Sequence, residues 1–450
     1  MGERVAEQQE IVGYHLERAH DLLAELGPAG VRQAALAERA ASHLRVSGRR
    51  AYNRGDMPAA VSLLERAARL MRPDNPVRVD VLIDAGLAAR DNGWRARGAS
   101  LLEDAVATAE RSGEERLVAR ARLIHHARGV DMTDAGWLAE QELLAGRLLE
   151  VAKPDDDLGL GWARYVIGGL AWQRCRADEA GPAWGRAVDH FRRSGDRRMA
   201  DESFSWFISV PLLGPMPCNE ALEVLREYEG EVRGSVEAEW DLQATIAWIL
   251  AMQGEVDEAR RVMAKFDQLL RELGRRETAA FVTQMLGWVE LEAGNPAESE
   301  RLLAGATSEL EAMGSEISGV LWSIRAQSLY ELGRYDDAED AAARRAERFG
   351  DLSTEVMARS VEAMVLARRD RFEEAERIAR VAVADMDASD FPSERGDVRM
   401  ALAEVLQLAG RAEEAAGVMR EAIGLYESKG NVLQARTARA RLAEVDSLKE

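Results

Sequence analysis

Residues 285–306 read MLGWVELEAGNPAESERLLAGA. Ala293-Gly294-Asn295 is a turn signal between two amphipathic runs. Small residues stand at fixed places around it: Gly287 seven residues before Gly294, Ser299 five after and Ala306 twelve after. That is the pattern of a helical hairpin whose two backbones approach closely, because bulky side chains at those places would push the helices apart.

The same arrangement recurs along the chain. Turns centred on residues 55, 93, 134, 175, 214, 254, 294, 333, 370 and 410 follow one another at steps of 37 to 41 residues. Gly48, Gly86, Ala127, Gly168, Ala247, Ala326, Ala363 and Ala403 repeat the place of Gly287. Ala60, Gly98, Ala139, Ala180, Ala259, Ala338, Ala375 and Ala415 repeat that of Ser299. Breaks such as Ser112-Gly113, Ser194-Gly195, Leu273-Gly274 and Met313-Gly314 separate one hairpin from the next. The fifth unit fits worst: Phe207 fills its small-residue place and Ala221 lies two residues late. Two more positions depart from the apolar face of helix A, Glu290 and Arg325.

This spacing of small residues resembles the tetratricopeptide repeat over about residues 33–450, with units longer than the roughly 34 residues usual for that family. The resemblance implies an all-α, right-handed superhelix of about ten hairpins. The expected organisation is an N-terminal helix and linker over residues 1–32, with the helix at about 5–26. A repeat array over 33–430 and a capping helix within 431–450 follow. The stretches Glu10-Ile11-Val12-Gly13-Tyr14-His15-Leu16-Glu17-Arg18-Ala19 and Leu425-Tyr426-Glu427-Ser428-Lys429-Gly430-Asn431 also resemble the helical C-terminal part of large bacterial signalling proteins. In those, a nucleotide cyclase or DNA-binding activator domain is joined to a switch ATPase followed by such repeats.

Composition narrows the partners. The chain has 450 residues, 47% hydrophobic and 31% charged, with 79 acidic against 59 basic residues and a formal charge of −20. Such a balance opposes phosphate neutralisation, so nucleic acid and anionic membrane are not expected partners. No apolar stretch approaches the roughly 20 residues needed to span a bilayer, the N-terminus lacks a signal-like apolar core, and the expected location is the cytoplasm. Cys175 and Cys218 are the two cysteines and have no metal or redox spacing. None of Lys153, Lys265, Lys429 and Lys449 stands in a Gly-Lys-Ser/Thr motif, so no P-loop is present.

No catalytic motif emerges either. His15, His20, His43, His125, His126 and His190 form no His-Glu-x-x-His, and adjacent His125 and His126 diverge by about 100° on a helix. No Gly-x-Ser-x-Gly elbow occurs. Acidic runs such as Asp155-Asp156-Asp157 carry little information in a chain with 79 acids. No catalytic residue, metal or cofactor is expected.

In a stacked hairpin array, helix A lines the concave surface, and residues thirteen, ten, six and three before each turn face a ligand. Those places hold Trp162, Tyr165 and Trp172, then Phe204, Trp248, Phe281, Trp288 and Tyr330, followed by Met357, Met364 and Met400. The first three units carry Arg45, Arg49, Tyr52, Asp80, Arg90, Arg128 and Asp131 instead. Nine of the ten tryptophans fall between Trp137 and Trp322, which concentrates aromatic surface in the middle of the array. Such a groove suits a protein or peptide segment or a small apolar effector. A rival reading makes the aromatics core, buried where long A helices crowd a tight superhelix. The expected function is a non-enzymatic scaffold that regulates a signalling or transcription partner. The alternative is the regulatory arm of a multidomain ATPase or nucleotide cyclase. Self-association through the convex surface or end helices is a third possibility to test.

Overall fold

In the computed structural model, residues 2–27, 30–129, 135–232, 236–314, 317–346 and 351–447 are described. Among them are twenty-two α-helices and no strand. A helix at Gly2–Leu26 is followed by ten hairpins of helix A and helix B. The first five pair Val31–Asn53 with Met57–Leu70, Pro76–Asp91 with Arg95–Ser112, Glu115–Ile124 with Ala135–Val151, Asp157–Gln173 with Ala177–Ser194, and Arg197–Leu213 with Cys218–Glu227. The next five pair Val236–Met252 with Val256–Glu272, Arg276–Glu292 with Pro296–Met313, Gly319–Glu331 with Tyr335–Ala346, Leu352–Arg368 with Phe372–Asp387, and Pro392–Leu408 with Ala412–Lys429. A last helix, Val432–Ser447, packs on the tenth hairpin. The architecture is an all-α solenoid of tetratricopeptide-like hairpins.

The turns explain where each helix A stops. Gly55, Gly93, Gly254, Gly294, Gly333 and Gly410 all have positive φ. At Gly294 the backbone closes with Gly294 N–H on Leu291 O at 3.0 Å and Asn295 N–H on Glu290 O at 2.8 Å, a helix stop that needs a left-handed residue. Cys175 and Asp370 take the same conformation without being glycine, with φ of 55° and 60°. The breaks at Gly113, Gly195, Gly274 and Gly314 also have positive φ.

The small residues meet what the sequence pattern requires of them. A Cβ at Gly48, Gly86 or Gly287 would come within 2.7 to 2.8 Å of Leu64, Leu102 or Leu303, each sixteen residues later on helix B. Ala60, Ala180, Ala259, Ala338, Ala375 and Ala415 are fully excluded from water. The third hairpin departs from this. Its turn at Asp134 lies outside the described residues, as does Asp131. Ala127 is half-buried within a π-helical segment, His125–Gly129, and Ala139 is exposed. The wider π turn shifts the register of helix A, and Ala145 is the alanine that helix B buries completely.

The two polar intruders are matched by neighbouring helices. Buried Glu290 accepts both guanidinium arms of Arg260, at 2.6 and 2.7 Å, and Arg325 donates to both oxygens of Glu300, at 3.0 and 3.1 Å. Bidentate geometry offsets the desolvation of these charges better than a single contact would.

The chain divides into two compact units, Met1–Ile167 with Arg186–Ser203 and Gly168–Gly185 with Phe204–Glu450. In the second unit the tenth hairpin and the link before it reach back to residues of the fifth and fourth. Lys429 Nζ donates to the carbonyls of Pro211, Gly214 and Met216 at 2.6 to 2.7 Å. The Asp390 carboxylate accepts from the backbone N–H groups of Ala177 and Asp178, each at 2.8 Å. Among the described residues no helix is long and apolar enough to cross a membrane.

Candidate functional site

In the first unit the charged face of the A helices is occupied by its own side chains. Arg49 donates to Asp84 and to Asp196, both at 3.1 Å. Arg128 pairs with Glu202 and donates to the Tyr165 hydroxyl at 3.0 Å, and that hydroxyl donates to Glu202 at 2.7 Å. Arg198 pairs with Asp91 at 2.8 Å and lies over the Tyr52 ring. Burial pushes Asp84 up to about 7, with Arg49 opposing the shift. Trp162 is only 1% exposed and packs against Phe191 and Tyr165. The first unit thus fills this face with its own ion pairs.

The second unit holds the other six aromatic positions in separate settings. Trp172 is half-buried among Trp184, Trp206 and Phe391. Phe204 is buried against Phe207 and Tyr228. Trp248 is buried with its ring centroid 4.6 Å from that of Trp288. Tyr330 is buried, donates to Glu404 at 2.5 Å and accepts from Arg368 at 2.9 Å. Phe281 is 49% exposed. The structure therefore brings Trp248 and Trp288 together and leaves Phe281 apart on the surface.

Of these six, Trp288 lines a cavity of the second unit, a space of about 260 Å³ between the A helices of the seventh to tenth hairpins and the final helix. Its apolar wall includes Trp288, Met357, Met364 and Met400; its polar wall carries Glu292, Glu331, Glu394, Asp397 and Glu404 against one guanidinium, Arg441. Tyr330 borders an adjoining shallower hollow that shares Met400, Glu404 and Arg441. Asp397, Met400 and Glu404 lie thirteen, ten and six residues before the turn at Gly410, and Trp288 six before Gly294, so the cavity is built on the predicted ligand-facing register. Glu292 and Glu394 lie off that register and carried no sequence signal.

Charge on the polar wall is uneven. Arg441 reaches Glu331 at 3.2 Å and Glu404 at 3.5 Å, and Arg368 donates to Glu404 at 2.6 Å. Glu394, 3% exposed, has no hydrogen bond of good geometry on either oxygen, although the Ser353 side chain lies near enough to interact with it. Glu292, 8% exposed, accepts from Trp288 Nε1 at 3.2 Å through Oε1, while Oε2 has none. Asp397 accepts from the Tyr426 hydroxyl at 2.6 Å. Burial pushes Glu292 and Glu394 up to about 8 and Asp397 up to about 6, because a desolvated carboxylate is disfavoured. Gln434 beside Glu292 and Ser353 beside Glu394 moderate the shift. Among the described residues no three metal-binding side chains are placed to hold an ion.

No family model and no curated protein matches the chain. Solved structures that resemble it include yeast Tom70, at 14% identity, covering 89% of this chain and 96% of that one with a TM-score of 0.33. A Rap protein complexed with competence and sporulation factor is 11% identical, with 82% and 100% covered and a TM-score of 0.42. A signal transduction ATPase with numerous domains and a tetratricopeptide repeat sensor, from Pyrococcus horikoshii, is 16% identical with a TM-score of 0.38. The match covers 87% of this chain and spans 55% of that ATPase.

Proposed function

We propose that the chain is a non-enzymatic repeat scaffold that binds a protein segment or small effector in the cavity of its second unit and so regulates a signalling or transcription partner in the cytoplasm. The cavity carries this reading. It lies on positions of consecutive A helices that the sequence register assigns to a ligand, combines apolar and polar lining as small-ligand sites do, and includes buried carboxyl oxygens without good hydrogen bonds. In the first unit, by contrast, the equivalent face is internally paired. Trp288 and Met400 are the anchors that an occupant would meet first.

The test compares wild type with Met400→Arg, which projects a long side chain into the cavity. Native mass spectrometry and affinity capture from the source cell extract should yield an occupant or partner with wild type and lose it with the variant, at unchanged helicity. Equal yields from both proteins would remove the cavity from the function.

A second reading is favoured by the first helix, whose Ile11, Tyr14 and Leu26 are exposed. An apolar face there fits contact with a catalytic domain of a longer protein, making this chain its regulatory arm. The gene sequence upstream of Met1 decides that reading: a continuous frame into a nucleotide-binding domain supports it, and an in-frame stop removes it.

A further inference from the structure

Two carboxyls in the second unit are buried as if a cation belonged beside them. Glu394 and Glu292 line one cavity together with a third carboxyl, Asp397, and three oxygens of the two glutamates are buried without a hydrogen-bond partner of good geometry. Leaving buried polar atoms unsatisfied is costly, and an isolated buried charge more so. Arg441 does not relieve them, being engaged by Glu331 and Glu404. The same cavity is lined by Trp288, which donates to Glu292, and by Met357, Met364 and Met400, a surface suited to methylene groups and, at the indole face, to a cation.

We infer that this cavity takes a compact organic cation, a guanidinium or primary ammonium on a short apolar stem, held by Glu292, Glu394 and Asp397 against Trp288. The inference rests on the cavity being the binding site, as proposed above. A space of about 260 Å³ excludes a whole helix, which with side chains is about 10 Å across, and admits one such group. Among the described residues no three carboxyls lie close enough to share one metal ion, whereas a guanidinium spreads its five donors over a plane and can reach carboxyls farther apart. The same chemistry is offered by a free small amine and by an arginine or lysine side chain of a partner peptide.

Binding and proton release go together. With the cavity empty, Glu292 and Glu394 hold their protons at neutral pH; a bound cation favours their ionised forms, so affinity rises with pH towards 8. The titratable and charged groups facing these two are Asp351, Asp397, Tyr426, Cys175 and Cys218, with Arg441 and its partners Glu331 and Glu404 on the same wall.

Calorimetric titration of the full chain at pH 6 and pH 8 tests this with three probes. They are agmatine, acetyl-Gly-Arg-Gly-amide, and the same peptide carrying citrulline, whose ureido group is the neutral isostere of guanidinium. At pH 8 agmatine or the arginyl peptide should bind with a Kd below about 1 mM, with weaker binding at pH 6. The citrulline peptide should be at least about tenfold weaker, and Glu394→Gln and Glu292→Gln should each weaken the cationic probe by at least about tenfold. Tighter agmatine than peptide identifies a free amine as the source, and the reverse identifies a partner's side chain. Silence from both cationic probes with folded wild type, or equal binding of arginyl and citrullyl peptides, overturns the inference. If the probes fail while Met400→Arg still abolishes capture, the cavity stands and the cation falls; if Met400→Arg has no effect either, both fall.

Discussion

Glu394 sits in the first turn of helix Pro392–Leu408, where free backbone N–H groups favour negative charge. Burial outweighs that benefit and holds its carboxyl up at about 8, with Asp351 and Asp397 adding repulsion. An acid whose folded pKa lies above its unfolded value binds more protons when folded, so its stabilising contribution is lost as pH rises from about 4.5 to about 8. Glu394→Gln keeps the shape and removes the charge. Its melting temperature should equal that of wild type at pH 5 and exceed it by a few degrees at pH 9, reflecting roughly 2–4 kcal/mol of relieved desolvation. Thermal melts followed by circular dichroism at the two pH values measure this. A variant less stable than wild type at both would mean that the carboxylate is charged and compensated.

At the scale of helices, the second hairpin shows why the small-residue pattern is strict. A Cβ on Gly98 would lie 2.8 Å from the Gly86 carbonyl oxygen and 2.5 Å from the Arg90 side chain, so two backbones meet where a methyl has no room. Gly98→Ala should destabilise by about 1–3 kcal/mol through overpacking, despite alanine's gain of up to about 1 kcal/mol in helix propensity. Gly146 is the control. It lies in helix Ala135–Val151 with nothing near its missing Cβ, and Gly146→Ala should stabilise by up to about 1 kcal/mol. Urea unfolding of the two variants decides the sign of each. This layer of structure was legible in the sequence because steric contacts between neighbouring helices impose residue identity directly: Gly48, Gly86 and Gly287 oppose leucines, and Gly294 ends its helix with the left-handed bond that only the backbone of glycine adopts freely. In the third hairpin the register of small residues was not legible, because a π-helical segment at His125–Gly129 changes the residue count per turn without a compositional mark. The cavity was legible by half. Trp288 and Met400 stood out by residue type in the right register; Asp397 and Glu404 shared that register but were lost among 79 acids. Glu292 and Glu394 depend on helices brought over them from elsewhere in the unit.

At the scale of the whole second unit, hairpins far apart in sequence are fastened together, and the pitch that brings them into reach is a sum of small rotations that no local pattern records. Lys429 ends the tenth helix B with its ammonium fully buried and its three donors matched to the carbonyls of Pro211, Gly214 and Met216. Burial lowers its pKa to about 8, which leaves the charged, triply donating form dominant at pH 7. The strand of backbone that it grips has few alternatives, since Pro211 and Pro217 interrupt it. Asp390 adds a second fastening 39 residues earlier, bonding the free N–H groups of Ala177 and Asp178 at the start of a helix. Lys429→Met preserves length and apolar contact while deleting all three donors, so three carbonyls are left without their partner. The expected loss is about 2–4 kcal/mol, concentrated in the fastening and leaving the hairpins themselves intact. Hydrogen exchange should therefore speed up around residues 211–221 and 426–434 while the amides of the first hairpin keep their protection. Uniform acceleration across the chain would show that the second unit does not yield locally, and unchanged exchange would show that Lys429 fastens nothing.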